Sequence, residues 1–361
     1  FFDNSHSTLC MMRNLFIILS LGLLLFACKK EKTAIDPSIY DFSIIDINRQ
    51  SFILDTVFTD EPNRMISLLF ANPIPQDSLP LTFITSFSLS PGASSVPASG
   101  EMITVNSLDE TVTVTLTAED GRQIMYLVVV RDNQLPNSDF EDWHSIIGMD
   151  GIPYLDPGND AESTVWATAN QGTSMYSVYG TQPLTEGDNT MVQITTGETS
   201  MVPITAGTLF TGKFDINGAI QHPTDPGQAT IFGIPFSLRP SAIKFKYAFE
   251  PGSNYVLATL NNPSNIFGGF TVTPLSGEDE FTAFAILERR NSGGSVEIGR
   301  AEFTSGEVQT DLTELILSFS YTNGQKPTHI SVVFASSKDG DLFTGAVGST
   351  LIVDDVELIY D

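Results

Sequence analysis

Cysteine is nearly absent: the 361-residue sequence holds only Cys10 and Cys28. Everything beyond residue 28 therefore has no disulfide framework, no thiolate metal site and no cysteine nucleophile. Stability must come from a buried core, and about 330 residues are enough for two domains of ordinary size. Histidine is scarce as well. His6, His144, His222 and His329 are scattered, without the spacing of a His-Glu-x-x-His zinc motif. No Gly-x-Ser-x-Gly elbow or phosphate-binding glycine loop is present. Basic side chains are few: 17 Lys and Arg stand against 43 Asp and Glu, a formal net charge of −26. The one basic cluster is Lys29, Lys30 and Lys32. Such a surface repels phosphates and excludes nucleic acid as a partner. It tolerates neutral sugars and supplies carboxylates for calcium. Helical periodicity is almost absent as well.

The chain begins with an address. Residues 1–10 are expected to lie upstream of a start at Met11 or Met12. Residues 11–30, MMRNLFIILSLGLLLFACKK, have a secretory layout. Arg13 provides the positive flank, and residues 15–27 form an apolar run shorter than the roughly 20 residues that span a bilayer. The run ends in LFAC, residues 25–28, which resembles a bacterial lipobox. That resemblance implies lipidation of Cys28, an outer-membrane lipoprotein, and membrane contact through a lipid anchor only. It leaves open the periplasmic or surface side. Residues 1–28 are thus upstream sequence plus signal peptide, and 29–38 read as a tether.

Short alternating runs of β-branched and aromatic residues, broken by Gly, Pro, Asn and Asp, fill the remainder, which is the pattern of an all-β protein. Residues 39–133 offer seven strand candidates, a number that fits an immunoglobulin-like sandwich. Within them, VTVTLTAEDGRQIMYLVVVRD is a hairpin closed by an Asp-Gly turn. The boundary falls at NQLP, residues 133–136. Residues 136–361 offer eight or more strands with glycine-rich links, which suggests a jelly roll.

Two acidic stretches flank this second domain. LIVDDVELIYD closes the chain, and alternation puts Ile352, Asp354, Val356, Leu358 and Tyr360 on one face. A carboxylate on an apolar face needs a partner. PNSDFEDWHS opens the domain, read as a strand with Phe140 inward and Asp139, Glu141 and Trp143 opposite. If first and last strands are neighbours, Glu141 or Asp139 meets Asp354, and calcium would relieve their repulsion. These terminal motifs resemble those of sandwich carbohydrate-binding modules. The resemblance implies a structural calcium on Glu141 and Asp354, with Asp139 as a further ligand. The same stretches, with GTLFTGKF, GIPFSLRPSAIKFKYAFEPG, IGRA and VVFASSKDGDLFTGAVGSTLIVDDVELIY, resemble the putative carbohydrate metabolism (PCMD) domain. That resemblance covers residues 136–361. It implies a fold like a carbohydrate-binding module, the handling of poly- or oligosaccharide, and presentation on lipoproteins of Gram-negative glycan-degrading bacteria. It carries over no catalytic residue.

Sugar sites combine aromatic faces with polar groups that hold hydroxyls. Tyr154, Trp166, Tyr176 and Tyr179 lie among turn residues and are candidates for stacking. Asp339 and Asp341 in SSKDGDLFTG, and Arg239 in LRPS, are candidates for the hydroxyls. SGEDEF, with Glu278, Asp279 and Glu280, reads as a solvated loop. The expectation is a lipid-anchored protein that binds glycan without cleaving it. The alternatives are a glycoside hydrolase using two carboxylates of the second domain and an adhesin with a protein partner.

Overall fold

A computed structural model describes residues 36–48, 52–108 and 110–360. Cys28, the apolar run before it and residues 29–35 of the tether lie outside the described residues. Among the described residues no helix is long and apolar enough to cross a membrane.

Two hydrophobic cores divide the chain. The first draws on residues from Ile39 to Val130, the second on residues from Leu135 to Leu358. The first unit is a sandwich of two sheets. One contains Ile39–Ile47, Leu81–Leu89 and Met102–Val105. The other runs Leu54–Asp60, Met65–Phe70, Gln123–Arg131, Thr111–Thr117, Ser94–Val96. All seven candidate strands are present, with the short Ser94–Val96 added. Alternation drives their burial: in Leu81–Leu89 the residues Leu81, Phe83, Thr85 and Phe87 turn inward. The hairpin of Thr111–Thr117 and Gln123–Arg131 turns at Asp120-Gly121, where Gly121 takes a φ of 86°.

The second unit packs a five-stranded antiparallel sheet against a larger one. The first runs Thr181–Glu186, Asn189–Thr195, Thr350–Ile359, Ala242–Glu250, Gln309–Ser318. The second follows Trp166–Thr168, Thr208–Phe214, His329–Ala335, Phe281–Asn291, Gly294–Ser305, Ser320–Tyr321. Phenylalanines from both sheets interlock between them. Phe245 meets Phe334 with ring centroids 5.0 Å apart, and Phe249 meets Phe281 at 4.8 Å. Each such buried ring contributes about 1.5–3 kcal/mol relative to exposure. The result is an all-β protein, with the second unit a two-sheet sandwich as expected. Two small sheets were not anticipated. One is the hairpin Trp143–Ile147 with Pro153–Pro157. The other joins Tyr255–Leu260, Phe270–Pro274 and Thr344–Ala346 over a minor core of Val202, Ala258, Ile266 and Phe343.

The boundary at residues 133–136 is docked rather than loose. The Gln134 amide donates to Leu358 O at 2.9 Å and accepts from Leu358 N–H at 2.8 Å. The Tyr360 hydroxyl donates to Asn133 O, and Leu135 is buried in the second core. Asp55 of the first sandwich accepts from Ser237 Oγ and from Lys326 Nζ of the second. Phe58 packs edge-on to His329 at 5.2 Å.

Candidate functional site

The two acidic stretches do come together, with a geometry different from the expected one. Residues 136–139 form a turn, not a strand, and Phe140 takes a φ of 53° with its ring fully buried. The last strand meets this turn through Val356 N–H, which donates to Ser138 O. Strict alternation fails within Thr350–Ile359. Between Lys246, opposite Asp354, and Lys244, opposite Glu357, one residue faces two. This is a β-bulge, and Asp355 sits in it with a φ of 49°. The bulge shifts the inward set from Leu351 and Val353 to Val356 and Leu358. Asp354 is only 1% exposed, and burial pushes its carboxyl up from the usual range.

Glu141 and Asp354 are linked through neighbouring residues of one hairpin. Asn189 Nδ2 donates to Asp354 Oδ2 at 2.9 Å, and Thr190 N–H donates to Glu141 Oε1 at 3.1 Å. Asp354 Oδ1 accepts from Asp355 N–H. Asp139 is exposed. Among the described residues no group of three or more His, Cys, Asp or Glu side chains is placed to hold a metal. Calcium on Glu141 and Asp354 would need carbonyl or amide oxygens for the rest of its shell. An ion there would have to displace the amide donors that already satisfy Asp354.

Of the four loop aromatics, three lie in one neighbourhood. Tyr154 and Tyr179 stack with ring centroids 5.3 Å apart. Tyr179 and Ser177 both donate to Asp150 Oδ2 at 2.8 Å. Tyr176 follows closely in sequence and donates to the Met201 sulfur. Tyr154 is 6% exposed, so only Tyr179 and Tyr176 offer surface. Below them Asp156 is buried and accepts from Thr168 Oγ1 at 2.7 Å; burial raises its pKa to about 6. Trp166 departs from the expectation. It is 1% exposed, its ring packs on Phe140, and its indole N–H donates to Pro136 O. It is a core residue with no face left for a sugar.

The remaining acids separate into structure and surface. Asp341 is exposed, and Asp339 heads a short 3-10 turn beside Lys338. Asp279 is 2% exposed, contrary to the solvated loop expected for its segment. Its Oδ2 accepts from Ser337 Oγ at 2.5 Å, Ser349 Oγ at 2.6 Å and Ala346 N–H at 2.8 Å, while Oδ1 accepts from Glu280 N–H. A carboxylate so saturated is an anchor for the loops around it, not a free acid.

Arg239 stands at an open cleft of about 430 Å³ that also involves Ser241, Phe319, Tyr321 and Tyr360. Its guanidinium carbon lies 3.9 Å from the Tyr321 ring centroid. Its Nη1 and Nη2 groups donate to Gln325 O at 2.6 Å and Asn323 O at 2.9 Å, so a turn after Tyr321 fixes the plane of the fork. Burial pushes the Tyr321 phenol up to about 12 and raises that of Tyr360 as well. Both remain protonated at neutral pH. They donate to Pro240 O and Asn133 O, which leaves ring surface rather than hydroxyls for a ligand. Arg239 was legible in the sequence, whereas Phe319 and Tyr321 in SFSY, residues 318–321, carry no signal beyond strand alternation. No hydrogen bond or ring contact among the described residues joins this cleft to the loop tyrosines.

The match to a family model described as "Putative carbohydrate metabolism domain" spans residues 139–359. Among solved structures, a putative glycoside hydrolase from Bacteroides thetaiotaomicron is 26% identical. It aligns with a TM-score of 0.53 over 89% of this chain and 97% of that one. A second putative glycoside hydrolase, from Bacteroides vulgatus, is 23% identical, with a TM-score of 0.50 over 62% of this chain and 97% of that one. Comparison with curated proteins finds no match.

Proposed function

Because the chain belongs to the putative carbohydrate metabolism domain family, we propose that its second sandwich binds a glycan and does not cleave it. The ligand rests in the cleft of Arg239, Phe319, Tyr321 and Tyr360. The composition of that cleft carries the reading. Its volume falls within the range of small-ligand sites, about 300–1,000 Å³. It combines aromatic rings, which suit the apolar faces of pyranoses, with a planar donor and a serine for hydroxyls. Glycoside hydrolysis requires two carboxylates flanking the bond. Among the described residues lining the cleft there is none. Two Bacteroides proteins named as putative glycoside hydrolases keep hydrolysis as the competing reading.

One experiment separates the two. The protein is run through native gels containing single polysaccharides, and the same mixtures are assayed for new reducing ends. Retardation without new reducing ends is expected, with less retardation for Tyr321→Ala. Reducing ends that vanish on substitution of a single Asp or Glu would establish a hydrolase instead.

A further inference from the structure

We infer that the glycan taken by the Arg239 cleft carries a carboxylate, as a uronic acid does. This deepens the binding reading above and rests on it. The argument begins with charge pairing. The chain has 43 acidic side chains and 17 Lys and Arg, so a cation has many carboxylates available. Lys244, Lys246, Arg290, Arg300, Lys326 and Lys338 each hold one within 4 Å. Arg239 makes no ion pair with any described residue; Arg289 and Lys213 share this, but of the three only Arg239 lines the cleft. Its two donated bonds go to the neutral carbonyls of Asn323 and Gln325. Five N–H groups belong to a guanidinium, and three stay unassigned.

The setting favours an anionic visitor. Stacking on Tyr321 and the two carbonyl bonds hold the fork in one orientation before any ligand arrives. A planar fork matches a carboxylate in a two-point, charge-assisted contact, which a neutral hydroxyl does not reproduce. The half-buried rings of Tyr321 and Tyr360, seated on the buried Phe319, bring apolar surface for the sugar body beside that charge. The cleft lining holds no acid among the described residues. Asp132 acts on the Tyr360 phenol from nearby, but its oxygens accept from Ile74 N–H and Gln134 N–H. With a formal charge of −26, the molecule as a whole repels polyanions. Recognition of an acidic sugar therefore depends on this local cation rather than on general attraction.

The test pairs each acidic polymer with its own uncharged form. Polygalacturonate, alginate and hyaluronan, each with its fully methyl-esterified counterpart, are titrated into the full chain at low and moderate salt. At least one acid form is expected to bind about tenfold or more tightly than its ester, as a charge-assisted contact implies. In Arg239→Gln that ratio is expected to fall towards one. Ser241→Asp, which sets a carboxylate beside Arg239, is expected to invert it; this variant keeps the test open should Arg239→Gln fail to fold. Equal binding of acid and ester in every pair would overturn the inference and leave the glycan reading standing. An acid preference that survives both substitutions would overturn the assignment to Arg239. Binding of none of these polymers, nor of any neutral polysaccharide, would overturn the inference together with the reading beneath it.

Discussion

Asp279 shows how a single buried carboxylate can hold several loops. It accepts from Ser337, Ala346 and Ser349, residues that lie 58, 67 and 70 positions away. Removing the acceptor strips the backbone N–H groups of Ala346 and Glu280 of their partner, and leaves Ser337 with Thr196 and Ser349 with the Gly252 N–H only. Such losses cost about 3 kcal/mol or more together. Asp279→Ala is therefore expected to lower the Tm by roughly 6–12 °C for a domain of this size. A calorimetric shift below about 2 °C would show that water or a local rearrangement replaces the carboxylate. The sequence around it gave no sign of this burial. SGEDEF is polar throughout, and every distant donor becomes a neighbour only in the folded chain. Trp166 fails as a sugar platform for the same reason: its local context is loop-like, while its burial is decided by Phe140 and Pro136. Arg239 could be singled out because an arginine in LRPS carries its chemistry wherever the fold places it. Its ring partners could not.

At the scale of the element, alternation was legible where strands are long and half-buried. Phe281–Asn291, where buried and half-buried residues alternate from Phe281 to Glu288, appears where its pattern puts it, and His329–Ala335 appears where its continuous apolar run does. Shorter pieces such as Tyr255–Leu260 and Phe270–Pro274 were not legible. They rest on a small satellite core, so little of their periodicity is enforced. The bulge in Thr350–Ile359 exposes a different limit. Counting by twos across Asp354 and Asp355 assigns the wrong faces, because one inserted residue reverses parity from there on. The bulge also yields a prediction. Asp355 occupies left-handed backbone at a φ of 49°, a conformation that Asp and Gly tolerate and β-branched residues resist. Its ion pair with Lys246 is solvent-exposed and adds little. Asp355→Gly is expected to unfold within about 0.5 kcal/mol of the parent, and Asp355→Val to lose about 1–2 kcal/mol. Equal denaturant midpoints for the two variants would show that the backbone there relaxes freely.

The whole molecule is two sandwiches joined along a seam, and His329 sits in it. Its imidazole meets Phe58 of the first sandwich edge-on, and its Nδ1 bonds with Thr328 Oγ1. Burial, followed by the charge of Arg290, lowers its pKa to about 4; Glu288 and Asp60 act against that shift. A histidine held neutral in the folded state and freely titrating in the unfolded one has a fixed sign of linkage. The unfolded chain binds the extra proton, so stability rises with pH. The contribution is full above pH 6.5 and disappears as the pH falls through the window from 6.5 to 4. A displacement from 6.5 to about 4 corresponds to roughly 3 kcal/mol across that window. His329→Gln has no such proton to take up. The stability difference between parent and variant, from urea unfolding at pH 7.5, 6, 5 and 4, should therefore shrink or reverse as the pH falls. A constant difference across the series would mean that His329 is already solvated and that the seam is looser than its contacts show. The same series reports on the glycan cleft, because the docked segment between the sandwiches is hydrogen-bonded to Tyr360. The Asn133 carbonyl that holds this phenol belongs to the junction itself. If acid loosens the seam, glycan retention should weaken over the same pH interval in the parent and not in His329→Gln.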